Sequence, residues 1–257
     1  MIDLAVISGT GFYDFPSLEK GEVKEIKTRF GKVSVKTGTL LGRKIIHLAR
    51  HGKHHKILPN MINYRANILA LKALETKAII GTTVCGVLDP DIPLGKLVVF
   101  SDLYFPENRL PGGELCTVYE RAGDKRRGHY MFSSPFSESL RSLIIGATKE
   151  AITDAVYAHV NGPRFNSKSE ISMLRTHASF ISQTAGPEIV LAGELEIPYA
   201  LLGFGVDYGN GIKDVPTPLE VLEKNIKKSK NVFFSVVERA IKHYKKPEFD
   251  GFVYRFE

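Results

Sequence analysis

An apolar run, Leu4-Ala5-Val6-Ile7, stops at Ser8-Gly9-Thr10-Gly11, and three further runs stop at clusters of the same character. These are Arg50-His51-Gly52, Thr82-Thr83-Val84-Cys85-Gly86 and Gln183-Thr184-Ala185-Gly186. Small residues let backbone N–H groups approach an anion, threonine hydroxyls donate to its oxygens, and an arginine such as Arg50 supplies a bidentate charge. Brought together, the clusters would build a phosphate site from several loops. Each is weak on its own, since a Gly-Thr-Gly turn after a strand more often only packs, and Thr82-Thr83 also suits a plain strand.

Rival motifs fail on inspection. The dinucleotide fingerprint G-x-G-x-x-G needs a glycine where Asp14 stands, and neither G-x-x-x-x-G-K-[ST] nor the nucleophile elbow G-x-S-x-G occurs. His51, His54 and His55 invite a metal reading, but lysines flank them and no Cys or carboxylate lies close in sequence. No metal is expected.

The clusters need elements to position them. Strands are expected at 4–7, around Val33–Val35, at 44–48 after a Gly42-Arg43 turn, at 77–86 and at 96–101. Helical spacing covers 63–74, and residues 106–135 read as a Gly-, Pro- and charge-rich excursion. Then follow a helix at about 136–151, a strand at 155–160, a helix at about 167–177 and a short strand before Thr184. A helix over 188–194, a strand from Tyr199 to Val206 ending at Asp207, and an amphipathic helix over about 218–244 complete the chain. Strands alternating with helices predict an α/β fold, one domain over 1–257, with a mixed, mostly parallel central sheet flanked by helices. Such sheets bind ligands at the carboxyl ends of their strands, where the clusters fall.

Composition narrows the class. With 43% hydrophobic and 25% charged residues the chain is globular, and Cys85 and Cys116 cannot supply a disulfide framework. The start lacks the pattern of a secretory leader and no apolar run reaches membrane-spanning length, so a cytoplasmic protein is expected. The net charge of +7 admits nucleic acid as a partner. Its lysines cluster at 224, 227, 228, 230, 242, 245 and 246 without interleaved aromatic platforms, which favours a solvated helix face over a nucleic-acid surface.

Read together, Ser8-Gly9-Thr10-Gly11, Ala49-Arg50-His51-Gly52, Asn63-Tyr64-Arg65-Ala66-Asn67, Gly162-Pro163-Arg164-Phe165, Gly186-Pro187-Glu188 and Asp207-Tyr208 resemble the trimeric purine nucleoside phosphorylase family. Within it they are most similar to the 5′-methylthioadenosine phosphorylase branch, over about residues 2–244. The resemblance implies phosphate-dependent cleavage of a purine nucleoside, with inorganic phosphate as co-substrate and no cofactor. It implies phosphate contacts from Thr10, Arg50, His51, Thr83, the backbone at Val84, and Thr184. It places Phe165 against the purine, Asp207 at the base edge, Gln183 under the ribose and Leu222 beside the 5′ substituent. His129 would reach a neighbour's 5′ pocket in a trimer or a dimer of trimers.

The chemistry accounts for these types. Phosphate attacks C1′ while the purine leaves with the bonding electrons, and a donor at N7 lowers the barrier. Asp207 can donate only if a dry pocket raises its pKa. An acid there can also accept from a 6-amino group, where the family's 6-oxopurine enzymes carry Asn, and Asn166 replaces their Glu. Both features favour adenine, hence methylthioadenosine, with a 6-oxopurine or methylthioinosine substrate as the alternative. Gly209 stands where the branch has a second acid, and Gln183 where Met is usual.

Overall fold

The computed structural model describes residues 2–18 and 20–256, Lys53 by its backbone only. The first half of the chain supplies β1 (Leu4–Ser8), β2 (Glu22–Thr28), β3 (Gly31–Leu40) and β4 (Arg43–Ala49), then α1 (Tyr64–Ala73), β5 (Ile79–Val87), β6 (Leu97–Val99) and β7 (Asp102–Tyr104). The second half supplies β8 (His129–Met131), α2 (Glu138–Gly146), β9 (Val156–His159), α3 (Lys168–Leu174) and β10 (Phe180–Ser182). It ends with α4 (Ala185–Glu194), β11 (Tyr199–Tyr208), α5 (Leu219–Lys242) and β12 (Phe252–Tyr254).

Among the described residues one ten-stranded sheet dominates, in the order β2-β3-β4-β1-β5-β10-β9-β7, with β11 and β6 branching from β5. Pairings among β4, β1, β5 and β11, and among β10, β9 and β7, are parallel; β2 and β3 pair antiparallel, as do β5 with β10 and β11 with β6. The sheet is therefore mixed and mostly parallel at its centre, as the alternation predicts. Strand side chains alternate between its faces. Ala5 and Ile7 pack with α1 and α4, and Leu4 and Val6 with α2 and α5, so helices cover both faces. Asn63 caps α1 by accepting from the Ala66 N–H, and α5 turns Phe233, Val236 and Val237 inward while its lysines stay outside.

One irregularity of the sheet creates the site. β11 runs beside β5 from Ile79 to Val87. On the opposite edge β1 pairs only with Ile79 to Gly81 and β10 only with Gly86 and Val87. Between them the edge of β5 at residues 82–85 is open. Backbone groups of alternate residues face the same edge, so Val84 shares this opening with Thr82.

Several boundaries differ from those the sequence predicts. β5 starts two residues later than expected and runs one residue further, to Val87, with the Thr-Thr-Val-Cys-Gly cluster inside it, because β11 supplies a partner along its whole length. Asp207 likewise lies inside β11, at a bulge where the register shifts between Gly205 and Asp207. The helix expected to reach residue 151 ends at Gly146, where the Ala147 N–H turns back to Ile144 and Ile145. α4 starts three residues earlier than periodicity indicates, at Ala185, and α3 is confined to Lys168–Leu174. The strands β2, β8 and β12 have no counterpart in the expected elements; β2 and β8 are mostly solvent-facing and mix polar with apolar residues, and β12 is only three residues long, with Val253 alone buried.

Candidate active site

A cavity of about 360 Å³ opens at the gap in the sheet, at the carboxyl ends of β1, β4, β9 and β10. One end gathers Thr10, Arg50, His51, Thr83, Val84 and Thr184, all six residues of the expected phosphate set. The other end gathers Phe165, Asn166, Gln183, Asp207, Gly209 and Leu222, the expected nucleoside set. His129 is absent from this lining. It stands on β8, exposed, with its ring edge-to-face on Phe256 at 5.5 Å.

At the phosphate end Arg50 is fully buried, and its charge is already paired. Its Nε and Nη2 donate to the two carboxylate oxygens of Glu188 at 2.6 and 2.8 Å, and Nη1 donates to the Thr82 carbonyl on the open edge of β5 at 2.6 Å. Tyr199 donates a further bond to Glu188 at 2.9 Å. Burial opposes the Arg50 charge, but the Glu188 carboxylate more than offsets it and keeps the guanidinium charged. A guanidinium carries five N–H donors, so two remain for an anion. Gly9 is required beside it, since a Cβ there would stand 2.5 Å from Nη1. An anion therefore meets fixed donors around a neutralised pair, where the sequence alone indicates an unpaired arginine charge.

His51 is held neutral. Burial and the neighbouring Arg50 push its pKa down to about 3. Its Nδ1–H donates to the Ile57 carbonyl at 2.8 Å, which leaves Nε2 as a lone-pair acceptor, a match for the P–OH of hydrogen phosphate. His55 stacks on the His51 ring at 4.1 Å and shares a hydrogen bond with the Tyr13 hydroxyl. His51 and His55 are thus committed to ring packing and hydrogen bonds, while His54 is exposed. Of the two threonines, Thr83 lines the cavity, and Thr82 is buried with its hydroxyl unpartnered among the described residues.

The nucleoside end is built on the loop after β9. Ser167 caps α3 by accepting from the Glu170 N–H, and Glu170 accepts in return from the Ser167 N–H and, through both oxygens, from Arg164. Gln183 donates to the Arg164 carbonyl at 2.8 Å. Phe165 sits between these ties with 75% of its surface exposed, a flat apolar face at the cavity mouth. Asp207 is mostly buried, and burial lifts its pKa to about 6. Its carboxyl can therefore be a proton donor near neutral pH, the condition the chemistry requires.

Gly209 lines the cavity with backbone only. Its N–H is committed to the Val87 carbonyl, and a Cβ there would point at Leu88 and Ile171, at 3.0 and 3.2 Å. A side chain at 209 would crowd both residues on this backbone. Sequence reasoning misses Asn210, which does line the cavity and donates from Nδ2 to the Asn166 carbonyl at 2.7 Å. It also misses Glu188 as the partner of Arg50. The Pro187-Glu188 pair at the start of a helix is the available signal, but it names no partner 138 residues away.

With this geometry established, similarity to known proteins decides the family. The pattern of the phosphorylase superfamily matches residues 3–242. The chain belongs to that superfamily. A protein from Dictyoglomus turgidum named probable 6-oxopurine nucleoside phosphorylase is 34% identical over 248 residues, 93% of this chain and 92% of its own. An S-methyl-5′-thioadenosine phosphorylase of Nitrosopumilus maritimus is 34% identical over 255 residues, 94% and 93% of the two chains. The fold matches methylthioadenosine phosphorylase from Schistosoma mansoni in complex with adenine, at a TM-score of 0.81 and 26% identity over 94% of this chain and 91% of that one. This phosphorylase thus resembles enzymes named for both 6-amino and 6-oxo purines.

Proposed function

We propose that this phosphorylase cleaves the N-glycosidic bond of 5′-methylthioadenosine with inorganic phosphate, giving adenine and 5-methylthioribose 1-phosphate. The observation that carries the reading is one cavity with a dense set of anion donors at one end and Asp207, lifted to about 6, at the other. Phosphate held by Arg50, Thr10, Thr83, Thr184 and the Val84 N–H attacks C1′ from the face opposite the purine. The C1′–N9 bond breaks, its electron pair leaves with the base, and the Asp207 proton passes to N7. Phe165 covers one face of the purine, Gln183 lies under the ribose, and Leu222 borders the 5′ substituent. Once ionised, Asp207 accepts from a 6-amino group, which favours adenine over hypoxanthine. The named relatives also support a second reading, a 6-oxopurine nucleoside phosphorylase.

The working enzyme is a homo-oligomer, a trimer or a dimer of trimers, in which His129 enters a neighbour's 5′ pocket. What supports this is the exposure of Met131, Phe132, Phe252, Tyr254 and Phe256 around β8 and β12, an apolar face unsuited to bulk water. No described helix is long and apolar enough to cross a membrane, and with two buried free cysteines a cytoplasmic setting is the fitting one. The lysines at 224, 227, 228, 242, 245 and 246 are exposed to solvent, and no nucleic-acid role is assigned to them.

The test is release of free base from methylthioadenosine, methylthioinosine, adenosine, inosine and guanosine, each with and without phosphate. Base released only with phosphate, fastest from methylthioadenosine, is the expected result. Preference for inosine or guanosine establishes the second reading, and no turnover of any nucleoside overturns both.

A further inference from the structure

Behind Thr83 and Thr184 a chain of hydroxyls continues to two more, Tyr157 and Ser182, that the proposed reaction does not use. Tyr157 on β9 is buried, and its phenolic oxygen accepts from the Ala185 N–H, at the first residue of α4, at 3.1 Å. The same oxygen stands 2.7 Å from Ser182 Oγ at the end of β10. Ser182 Oγ is 2.9 Å from Thr83 Oγ1, and Thr83 Oγ1 is 3.4 Å from Thr184 Oγ1. Ser182, Thr83 and Thr184 all line the cavity.

Proton counting fixes the direction of the chain. A backbone N–H can only donate, so one end is set. Among the described residues Ser182 Oγ is the one acceptor within reach of the Tyr157 O–H, and a buried hydroxyl proton left unbonded is costly. Tyr157 therefore donates to Ser182. Ser182 in turn donates to Thr83, its remaining partner. Because Ser182 is the donor in that contact, Thr83 keeps its own proton to give; in this structure the Val84 carbonyl at 3.1 Å takes it. An anion in the cavity is a stronger acceptor than that carbonyl.

We infer that Tyr157 and Ser182 are positioning residues, forming a one-way hydroxyl relay from the Ala185 N–H that turns the Thr83 hydroxyl into a fixed donor for the attacking phosphate. Each donor in the relay polarises the next, so the terminal O–H is a stronger donor than an isolated threonine. The relay acts on phosphate and leaves the purine end untouched. It rests on the phosphorolysis reading in that Thr83 meets phosphate.

The experiment measures KM for phosphate and KM for nucleoside separately in Ser182→Ala, Tyr157→Phe and the double variant, with phosphate affinity of each taken by calorimetry. Ser182→Ala is expected to raise the phosphate KM about tenfold, the scale of one hydrogen bond to a charged group, with nucleoside KM within twofold. Tyr157→Phe should act in the same direction, and the double variant should be no worse than Ser182→Ala alone, because both cut one chain. Ser182→Thr, which keeps the hydroxyl, should restore the phosphate KM. Where Tyr157→Phe fails to fold, Ser182→Ala and Ser182→Thr decide alone. An unchanged phosphate KM in Ser182→Ala, equal loss in both KM values, or additive effects in the double variant overturns the relay. A wild type that turns over no nucleoside sinks phosphorolysis but leaves the calorimetric comparison in force. A wild type that binds no phosphate sinks the relay too.

Discussion

The two ends of the cavity are built by opposite strategies. At the phosphate end Arg50, Glu188, Tyr199 and Thr82 are interlocked by short hydrogen bonds in a region closed to solvent. At the base end Phe165 is mostly exposed and Asn210 is exposed, and among the described residues Asp207 has no side-chain partner. On the proposed reading phosphate is the co-substrate common to every nucleoside, so its donors can be fixed in the folded protein in advance of reaction. The nucleoside must enter, be covered and leave, so its contacts sit on a loop and complete themselves around the ligand. Substitutions at the first end should therefore register as stability, and those at the second as substrate affinity and selectivity.

The largest effect tests the first half of that contrast. Glu188→Ala leaves the Arg50 guanidinium charged in a dry site with its bidentate partner gone. Breaking a buried pair in this way costs about 3–5 kcal/mol, which denaturant unfolding would report as a lowered midpoint with little change in slope. A loss below about 1 kcal/mol, the scale of an exposed pair, would mean that water or another residue takes over the role of Glu188.

Asp207→Asn comes next and moves activity and stability in opposite directions. The Asp207 pKa is lifted in the folded protein to about 6 by burial. The folded state therefore binds this proton more tightly than the unfolded chain, and the associated stability is present below the ordinary aspartate pKa and lost as pH rises through about 6. At pH 8 the buried carboxylate costs the fold about 3 kcal/mol. The Asn variant should thus be more stable than wild type at pH 8 and no more stable at pH 3. Its kcat/KM for methylthioadenosine should fall by about 100-fold, the scale of general acid catalysis, while preference shifts toward 6-oxo purines. Wild-type kcat/KM should decline above about pH 6 and lose that limb in the variant. A pH profile that is the same in both proteins would remove Asp207 from proton transfer.

What the sequence makes legible follows the same division. Motifs at strand ends are contiguous, so Ser8-Gly9-Thr10, Arg50-His51 and Gln183-Thr184 can be read directly along the chain, and each motif reaches the cavity. The alternation of apolar runs is enough to give the sheet and the helices on both faces, because burial on two sides writes itself into composition. Partnerships across the chain leave no local trace. Glu188 meets Arg50 because α4 starts at the end of β10, and the fork of β5 between β1 and β10 depends on register rather than on residue type. Gly209 and Asn210 show the limit most clearly. The family pattern directs attention to 209, which lines the cavity with backbone only and whose missing Cβ would meet Leu88 and Ile171, whereas Asn210 brings a side chain to the same cavity.

Phe165→Ala tests the second half of the contrast. An aromatic ring exposed to this degree contributes little to folding, so stability should change by no more than about 0.5 kcal/mol. Stacking on a base is worth about 1–3 kcal/mol, so nucleoside KM should rise roughly tenfold with phosphate KM unmoved. Destabilisation without a KM change would show that Phe165 belongs to the fold and not to the ligand.

The smallest effect probes how the exposed loop keeps its shape. Ser167 caps α3, and its reciprocal partner Glu170 also takes both guanidinium contacts of Arg164, one residue before Phe165. Ser167→Ala removes the bond to the Glu170 N–H, and loss of an N-cap costs about 1 kcal/mol. Much of that cost should appear locally, since α3 is short and the 161–167 loop meets solvent on one side. The expected pattern is a twofold to fivefold rise in nucleoside KM, no change in phosphate KM, and faster amide exchange confined to the loop and α3. If exchange speeds up equally around Arg50, the two ends are one cooperative unit, and the division of labour between them does not hold.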